Sequence, residues 1–462
     1  MKELKIQEIC QAVSGRLLEG GSENAVVKGV STDSRTAGAG QIFVALKGEN
    51  HDAHKFIPMA LEGGCRAFLI SREEAVPEDR KGASFIVVSD TLKGLQDLAR
   101  YYLTTFKDLK KLAVTGSTGK TTTKDMLYYI CSTKYKTLRT KGNFNNEVGL
   151  PLTVFSLEED TQAAIFEMGM SDLGEISLLC SIVKPQVGII TNIGVSHIEN
   201  LGSRQGILKA KMEIAEGFGP ENTLVVNQAN DLLTPENTSG NYRRIGCGYD
   251  DGCDYVISQV EDRGDQGLDF TITHGDESQS ISLSIPGGHN AINSCLALAA
   301  AETLGISLAE GARGLESMEL TEKRLNVKEA GGIRVIDDTY NASPDSMKAG
   351  IDVLTASKAE RKIAILADML EMGPDSPVYH REVGAYAAEA GLDLVVALGD
   401  AAAYIAEGAR EVLGKEKVQY YKTKDELKEK LSGMLKPGDL VLVKGSRGMA
   451  MELIVKEILQ NV

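Results

Sequence analysis

LAVTGSTGKTTT, residues 112–123, runs from an apolar segment through a glycine-rich turn into a segment with helical character. Thr115-Gly116-Ser117-Thr118-Gly119 makes the turn, and Lys120, Thr121 and Thr122 open the helix. Glycines let backbone N–H groups curl around an anion, the helix N-terminus adds positive dipole, and Lys adds a full charge. The hydroxyl after that Lys is where a magnesium ligand belongs. Residues Gly116, Ser117, Thr118, Gly119, Lys120, Thr121 and Thr122 therefore read as a cradle for the phosphates of a nucleotide. The common phosphate loop starts with Gly where this chain has Val114, so the strand-then-helix setting carries the reading.

That setting repeats along the chain. Residues 1–107 predict a small α/β domain, with helices near Ile6–Val13, Phe56–Gly63 and Leu92–Tyr102 and strands near Ile42–Ala45, Ala67–Ile70 and Phe85–Val88. Residues 108–318 predict strands at Leu112–Val114, Ala163–Phe166, Val187–Thr191 and Leu224–Val226, a β-rich stretch at 254–285 and an Ala-rich helix at Ala291–Leu304. Residues 319–462 alternate again, with strands at Arg334–Asp337, Lys362–Ala367, Leu394–Leu398 and Leu440–Val443. The expected class is α/β in three domains: a small N-terminal α/β domain, a central P-loop domain with a doubly wound, mostly parallel sheet, and a C-terminal Rossmann-like α/β domain.

Bulk properties agree with this plan and exclude some functions. A chain of 462 residues suffices for about three domains. The net charge of −15 argues against non-specific binding to nucleic acid or anionic membrane, while leaving room for a local basic pocket. No apolar run approaches a membrane span, and Met1–Leu18 lacks the apolar core of a signal peptide. Cysteines at 10, 65, 131, 180, 247, 253 and 295 form no C-x-x-C, which reads as reduced thiols in a cytoplasmic protein.

In open α/β sheets ligands sit beyond the carboxyl ends of the strands. Glu167 ends the strand AAIFE, and Asn192 and His197 follow VGIITN. A carboxylate, a hydroxyl and an imidazole near a triphosphate make a magnesium environment, with imidazole the odd member. Singly each has a plain reading: a solvated Glu, a hydrogen-bonded loop His, surface lysines at 209 and 211 with Lys209 facing Glu213. Asn290 and Asn293 lie where a helix opens and suit a base or ribose, and Arg324 lies at a domain boundary, within reach of a γ-phosphate. The segment DDTYNASP, 337–344, ends a strand with two acids and reads as a ligand loop. Lys444-Gly445-Ser446-Arg447-Gly448 offers two cations and backbone amides to a carboxylate, or is an ordinary basic turn.

Together these residues resemble the Mur ligase family, the ATP-dependent amino-acid and peptide ligases of peptidoglycan precursor synthesis. The resemblance covers essentially the whole chain. The family's T-G-[ST]-x-G-K-T-[ST] corresponds to Thr115–Thr122, which accounts for the missing first Gly. Its metal-binding Glu and His correspond to Glu167 and His197, and its carbamylated Lys falls on Lys211 in KAKMEI, 209–214. Its H-N-x-x-N corresponds to His289–Asn293, its boundary Arg to Arg324, and its ribose-side Asp to Asp338, with Tyr340 and Asn341 beside it. GNFNNEVGLP (142–151), DDTYNASP and KGSRGMAME (444–452) are similar to the member that adds D-alanyl-D-alanine to UDP-N-acetylmuramoyl-tripeptide. Asp33-Ser34-Arg35 and IFVALKG (42–48) are similar to the uridine-side domain, although Ala53 stands where that pattern usually has Gly.

The resemblance implies catalysis by Lys120, His197, Lys211 and Arg324. It implies ATP contacts from the loop, Asn290, Asn293, Arg324, Asp338, Tyr340 and Asn341, and magnesium at Thr121, Glu167, His197 and carbamylated Lys211. Substrate contacts fall on Ser34, Arg35, Lys47, Gly48, Asn145, Asn146, Lys444, Ser446 and Arg447. It implies a monomer using ATP and Mg2+. Rival readings are the neighbouring ligase that adds the third amino acid, a simple phosphotransferase, and a nucleotide-gated binding module.

Overall fold

A computed structural model describes residues 1–48, 51–318 and 324–461. The boundary expected between 318 and 319 abuts residues 319–323, which lie outside the described residues. Three larger sheets of five, nine and six strands follow one another along the chain, beside a two-stranded sheet near the N-terminus.

The N-terminal sheet runs Arg16–Leu17, Ser84–Val87, Ala67–Ile70, Gln41–Val44, Gly29–Ser31, parallel except at the first strand. Alternation divides its core. Phe43, Phe68 and Phe85 pack on one face, with Phe68 and Phe85 stacked at 4.7 Å, while Ile42, Val44 and Leu69 face the other. The helix Thr91–Thr104 covers that second face. Asp90 caps it, accepting from the Leu92 and Lys93 N–H groups at 2.8 and 3.2 Å. Leu95, Leu98, Ala99 and Tyr102 on this helix also belong to the core of the central sheet. The buried Tyr102 hydroxyl donates to Leu157 O at 2.9 Å, so one helix fastens the N-terminal domain to the next.

The central sheet is ordered Glu277–Leu283, Leu268–His274, Tyr255–Asp262, Arg243–Gly248, Thr223–Asn227, Val187–Ile190, Lys110–Thr115, Ala163–Glu167, Thr137–Arg139. Its first two strands are antiparallel additions and the rest is parallel. Lys110–Thr115 lies between Ala163–Glu167 and Val187–Ile190, with Val114 opposite Glu167 and Thr115 opposite Ile190. The expected strand ends are thus side by side. The helix His289–Glu302 is buried from Asn290 to Ala301, because its small residues let it pack closely on the sheet and on the helix Lys120–Ser132.

The C-terminal sheet runs Asn326–Ala330, Ile333–Asp338, Asp439–Lys444, Arg361–Ala367, Leu394–Leu398, Val418–Tyr421, parallel except at the first strand. Strands Thr137–Arg139, Arg243–Gly248, Asn326–Ala330 and Val418–Tyr421 were not expected from sequence; three are short or carry polar residues at a parallel-sheet margin or edge, and Arg243–Gly248 carries two Arg and two Gly. Among the described residues no helix is long and apolar enough to cross a membrane. All seven cysteines are free and five are buried, as the reduced-thiol reading expects.

Candidate active site

The carboxyl ends of the central and C-terminal sheets enclose a cavity of about 590 Å³. Its floor is the turn after Lys110–Thr115. Gly116 has φ +151° and Gly119 φ +78°, conformations that L side chains rarely adopt. A Cβ on Gly116 would lie 1.8 Å from Thr191 Oγ1, and one on Gly119 would lie 2.8 Å from Asn293 Oδ1. The loop is braced by the next strand end. Asn192 Oδ1 accepts from the Thr118 N–H at 2.8 Å, Asn192 Nδ2 donates to Thr118 Oγ1 at 2.6 Å, and the Gly194 N–H donates to Ser117 Oγ at 2.9 Å. The first amides of the helix Lys120–Ser132 have no intrahelical acceptor by geometry and remain for an anion. Lys120 Nζ donates to Gly116 O at 2.6 Å and Ser117 O at 3.3 Å. Burial lowers its pKa; Glu167 opposes that shift and Arg324 adds to it.

Glu167 ends its strand 3% exposed, directly beside this loop. Oε1 accepts from Asn145 Nδ2 at 2.9 Å, whereas Oε2 is buried with no hydrogen-bond donor among the described residues. Lys124 Nζ stands 3.4 Å from Oε2. Burial works against the Glu167 charge, but Lys124, Lys120 and Arg324 prevail and hold its carboxyl below the usual range. Arg324 donates to Thr121 Oγ1 at 3.1 Å and lies over the Tyr340 ring at 4.2 Å, joining the C-terminal segment to the phosphate loop. The Thr121 hydroxyl and the orphaned Glu167 oxygen are hard donors of the type magnesium selects, so the donor chemistry fits that ion.

His197 lines the cavity, and its Nδ1 lies 2.8 Å from Glu371 Oε2 in the C-terminal domain. Both residues have φ +63°, an uncommon backbone for non-glycine residues. Lys211 is 2% exposed and has no hydrogen-bond or ion-pair partner among the described residues. Burial, reinforced by Lys120, drives its pKa well below the ordinary lysine value. Lys209 is exposed. Glu213 does not face it; that carboxylate is buried and accepts from the Gly174 and Ser177 N–H groups at 2.6 and 3.0 Å.

The opposite wall comes from the C-terminal sheet. Asp338 ends its strand beside Lys444, whose ammonium donates to Asp338 Oδ2 at 2.5 Å and to Asn341 O at 3.0 Å. Asp338, Tyr340, Asn341 and Lys444 all line the cavity, as do Asn290 and Asn293 from the central domain. Asn290 Nδ2 donates to Pro286 O at 2.7 Å and Asn290 Oδ1 accepts from Asn293 Nδ2 at 2.9 Å, which orients both amides. Ser446 is buried between loops, its hydroxyl accepting from the Leu370 N–H at 2.9 Å. Arg447 is exposed and paired with Glu452 at 2.9 Å. Neither lines the cavity.

Asn145 and Asn146 line the cavity, and Asn146 Oδ1 also accepts from the N–H of Gly149, the first residue of the helix Gly149–Val154, at 2.8 Å. The four N-terminal candidates do not line it. Arg35 is exposed with its guanidinium on Asp33, Ser34 Oγ is 3.4 Å from Met59 Sδ, and Lys47 pairs by backbone bridge with Asp52. Sequence reasoning missed Lys124 and Glu371. Lys124 sits at i+4 from Lys120, a spacing that places both on one helix face and was available as a signal. Nothing in the local sequence pairs Glu371 with His197.

Three family models match in succession: "Mur ligase family, catalytic domain" over residues 26–103, "Mur ligase middle domain" over 114–301, and "Mur ligase, glutamate ligase domain" over 323–447. The UDP-N-acetylmuramoyl-tripeptide--D-alanyl-D-alanine ligase of Bacillus subtilis (strain 168) is 39% identical over 458 residues, covering 99% of this chain and 98% of its own. The crystal structure of MurF from Acinetobacter baumannii superposes with a TM-score of 0.92 at 33% identity, covering 100% of both chains. MurF ligase from Thermotoga maritima in complex with ADP superposes with a TM-score of 0.82 at 29% identity, covering 94% of this chain and 97% of that one. With family matches in order along the sequence and relatives aligned end to end, the chain belongs to the Mur ligase family.

Proposed function

We infer that this protein joins D-alanyl-D-alanine to UDP-N-acetylmuramoyl-tripeptide, with cleavage of ATP to ADP and phosphate, in peptidoglycan precursor synthesis. The observation that carries this reading is a cavity between two sheet ends that combines a phosphate loop with a carboxylate oxygen that has no hydrogen-bond donor among the described residues, with Lys211 buried outside the cavity lining, near Lys120 and His197, and without a partner among those residues. End-to-end likeness to ligases of that name supports the choice of substrates.

The terminal carboxylate of the tripeptide attacks the γ-phosphorus of ATP, the bond to the β–γ bridging oxygen breaks, and an acyl phosphate and ADP form. The amine of D-alanyl-D-alanine then attacks the acyl carbon, phosphate leaves, and the amide remains. The first step brings two anions together, so its barrier is electrostatic. Lys120 and the helix amides neutralise the β- and γ-phosphates. Arg324, already on the Thr121 hydroxyl, adds positive charge from the C-terminal side. Magnesium, held by Thr121 and Glu167 and at a second position by His197 and Lys211, supplies further charge neutralisation when bound. Lys211 fits that role as a carbamate. Its depressed pKa favours the neutral amine, which adds CO2 and loses a proton to become an anionic oxygen ligand. Asn290, Asn293, Asp338, Tyr340 and Asn341 surround the nucleoside.

In this scheme the N-terminal domain, through Ser34, Arg35, Lys47 and Gly48, takes the uridine end of the substrate. Asn145 and Asn146 face the peptide end. Lys444, Ser446 and Arg447 shape the dipeptide side. We assign the protein to the cytoplasm, as a monomer. The test is ADP release with ATP, magnesium and UDP-N-acetylmuramoyl-tripeptide, with and without D-alanyl-D-alanine. Dipeptide-dependent release with a product heavier by one dipeptide less water is expected. Release stimulated by a single amino acid moves the reaction to a neighbouring ligase, and no stimulated release overturns the assignment.

A further inference from the structure

Lys124 is 2% exposed, on the helix that begins at the phosphate loop. Among the described residues its ammonium faces two carboxylates, Asp125 Oδ1 and Glu167 Oε2, each at 3.4 Å. Asp125 is in turn held from outside by Arg139 NH1 at 3.0 Å, and the Arg139 guanidinium lies over the Tyr128 ring at 4.3 Å. A chain of alternating charge thus runs inward from the strand Thr137–Arg139 to Glu167. It ends on the Glu167 oxygen that has no hydrogen-bond donor among the described residues.

A buried ion pair at this separation is a poor device for stability, since desolvation offsets most of the attraction. Its value lies in direction. Glu167 feels Lys120 as well as Lys124. A carboxylate free to swing toward Lys120 would neutralise the cation that the phosphates need. We propose that Lys124 is the positioning residue of Glu167: it ties Oε2 to the helix behind the loop, so that Lys120 stays available to phosphate and Oε2 faces the nucleotide's metal. The inference rests on the reading of this cavity as the ATP site.

The test is ADP binding by calorimetry on the full chain, first without magnesium. Lys124→Met is expected to weaken magnesium-free ADP binding about tenfold, because Glu167 captures Lys120. Adding Glu167→Gln to Lys124→Met is expected to restore binding to within about threefold of wild type, since no carboxylate remains to compete. Lys124→Arg is expected to stay within about threefold as well. A merely structural lysine gives no such rescue. The inference is overturned if Lys124→Met binds as wild type does, or if the double variant binds no better than the single one. Should Lys124→Met fail to fold, Glu167→Gln and the double variant carry the test: equal ADP affinity supports the inference, and a tenfold loss in the double variant overturns it. With magnesium added, wild type is expected to bind ADP more tightly and Lys124→Met to lose most of that gain. A wild-type protein that binds no ADP at all overturns the ATP-site reading itself, and the inference with it.

Discussion

The two walls of the cavity treat buried lysine in opposite ways. On the central-domain side the cavity-lining Lys120 rests on carbonyl oxygens, and Lys211, buried outside the lining, has no hydrogen-bond or ion-pair partner among the described residues; Lys124, behind the loop, is paired with carboxylates as Lys444 is. On the C-terminal wall Lys444 is already neutralised, hydrogen-bonded to Asp338 and to Asn341 O. A buried ammonium without a carboxylate partner is costly unless it gives up its proton or a ligand completes it. The central wall is therefore built to receive polyanion and metal, whereas the C-terminal wall is built to hold its own loops in shape.

The sharpest way to break this comparison is Lys211→Ala. It should cost about 10³-fold in turnover with the fold intact, and a short carboxylate added to the buffer should recover part of it. Intact-protein mass spectrometry under CO2 would show the carbamate directly, and near-wild-type turnover of the alanine variant would remove Lys211 from the mechanism. On the other wall Lys444→Met should act on stability. It strands Asp338 and should cost about 3 kcal/mol in denaturant unfolding, most of it recovered by adding Asp338→Asn. An unchanged unfolding midpoint would mean that this pair is not the wall's fastening.

The walls meet at His197 and Glu371. A carboxylate on the far ring nitrogen of a metal-binding histidine fixes its tautomer and orientation. Glu371→Ala should thus lower kcat about tenfold with little change in the ADP affinity, and should broaden the interdomain distance seen by paired fluorophores. If kcat holds, the contact is incidental to closure. The smallest effect is expected at Arg447, exposed and paired with Glu452. Arg447→Ala should change turnover less than about twofold. A large loss there would show that the loop after Asp439–Lys444 turns inward when the dipeptide binds.

Much of this site was legible because its determinants are local. The loop Thr115–Thr122 needs glycine where φ is positive at Gly116 and Gly119, and it needs Lys at the start of a helix; all of that is written in consecutive residues. Strand–helix alternation likewise placed Glu167 and Asn192 at the same end of the sheet as the loop, because parallel sheets align their carboxyl termini. The N-terminal candidates were legible only as motifs; folding leaves Arg35 and Lys47 away from the cavity lining.

Composition, alternation and the glycine–lysine turn by themselves determined the α/β class, the nucleotide loop and the strand ends that carry acid and amide. Only the tertiary structure buried Lys211 and left Lys209 exposed, since burial depends on which side of a helix meets its neighbours. It alone left one oxygen of Glu167 without a donor among the described residues, set Lys124 beside that oxygen, and brought Glu371 of one domain to His197 of another. Charge compensation is a property of distance in three dimensions, and residues far apart in the chain acquire that distance only when the domains pack.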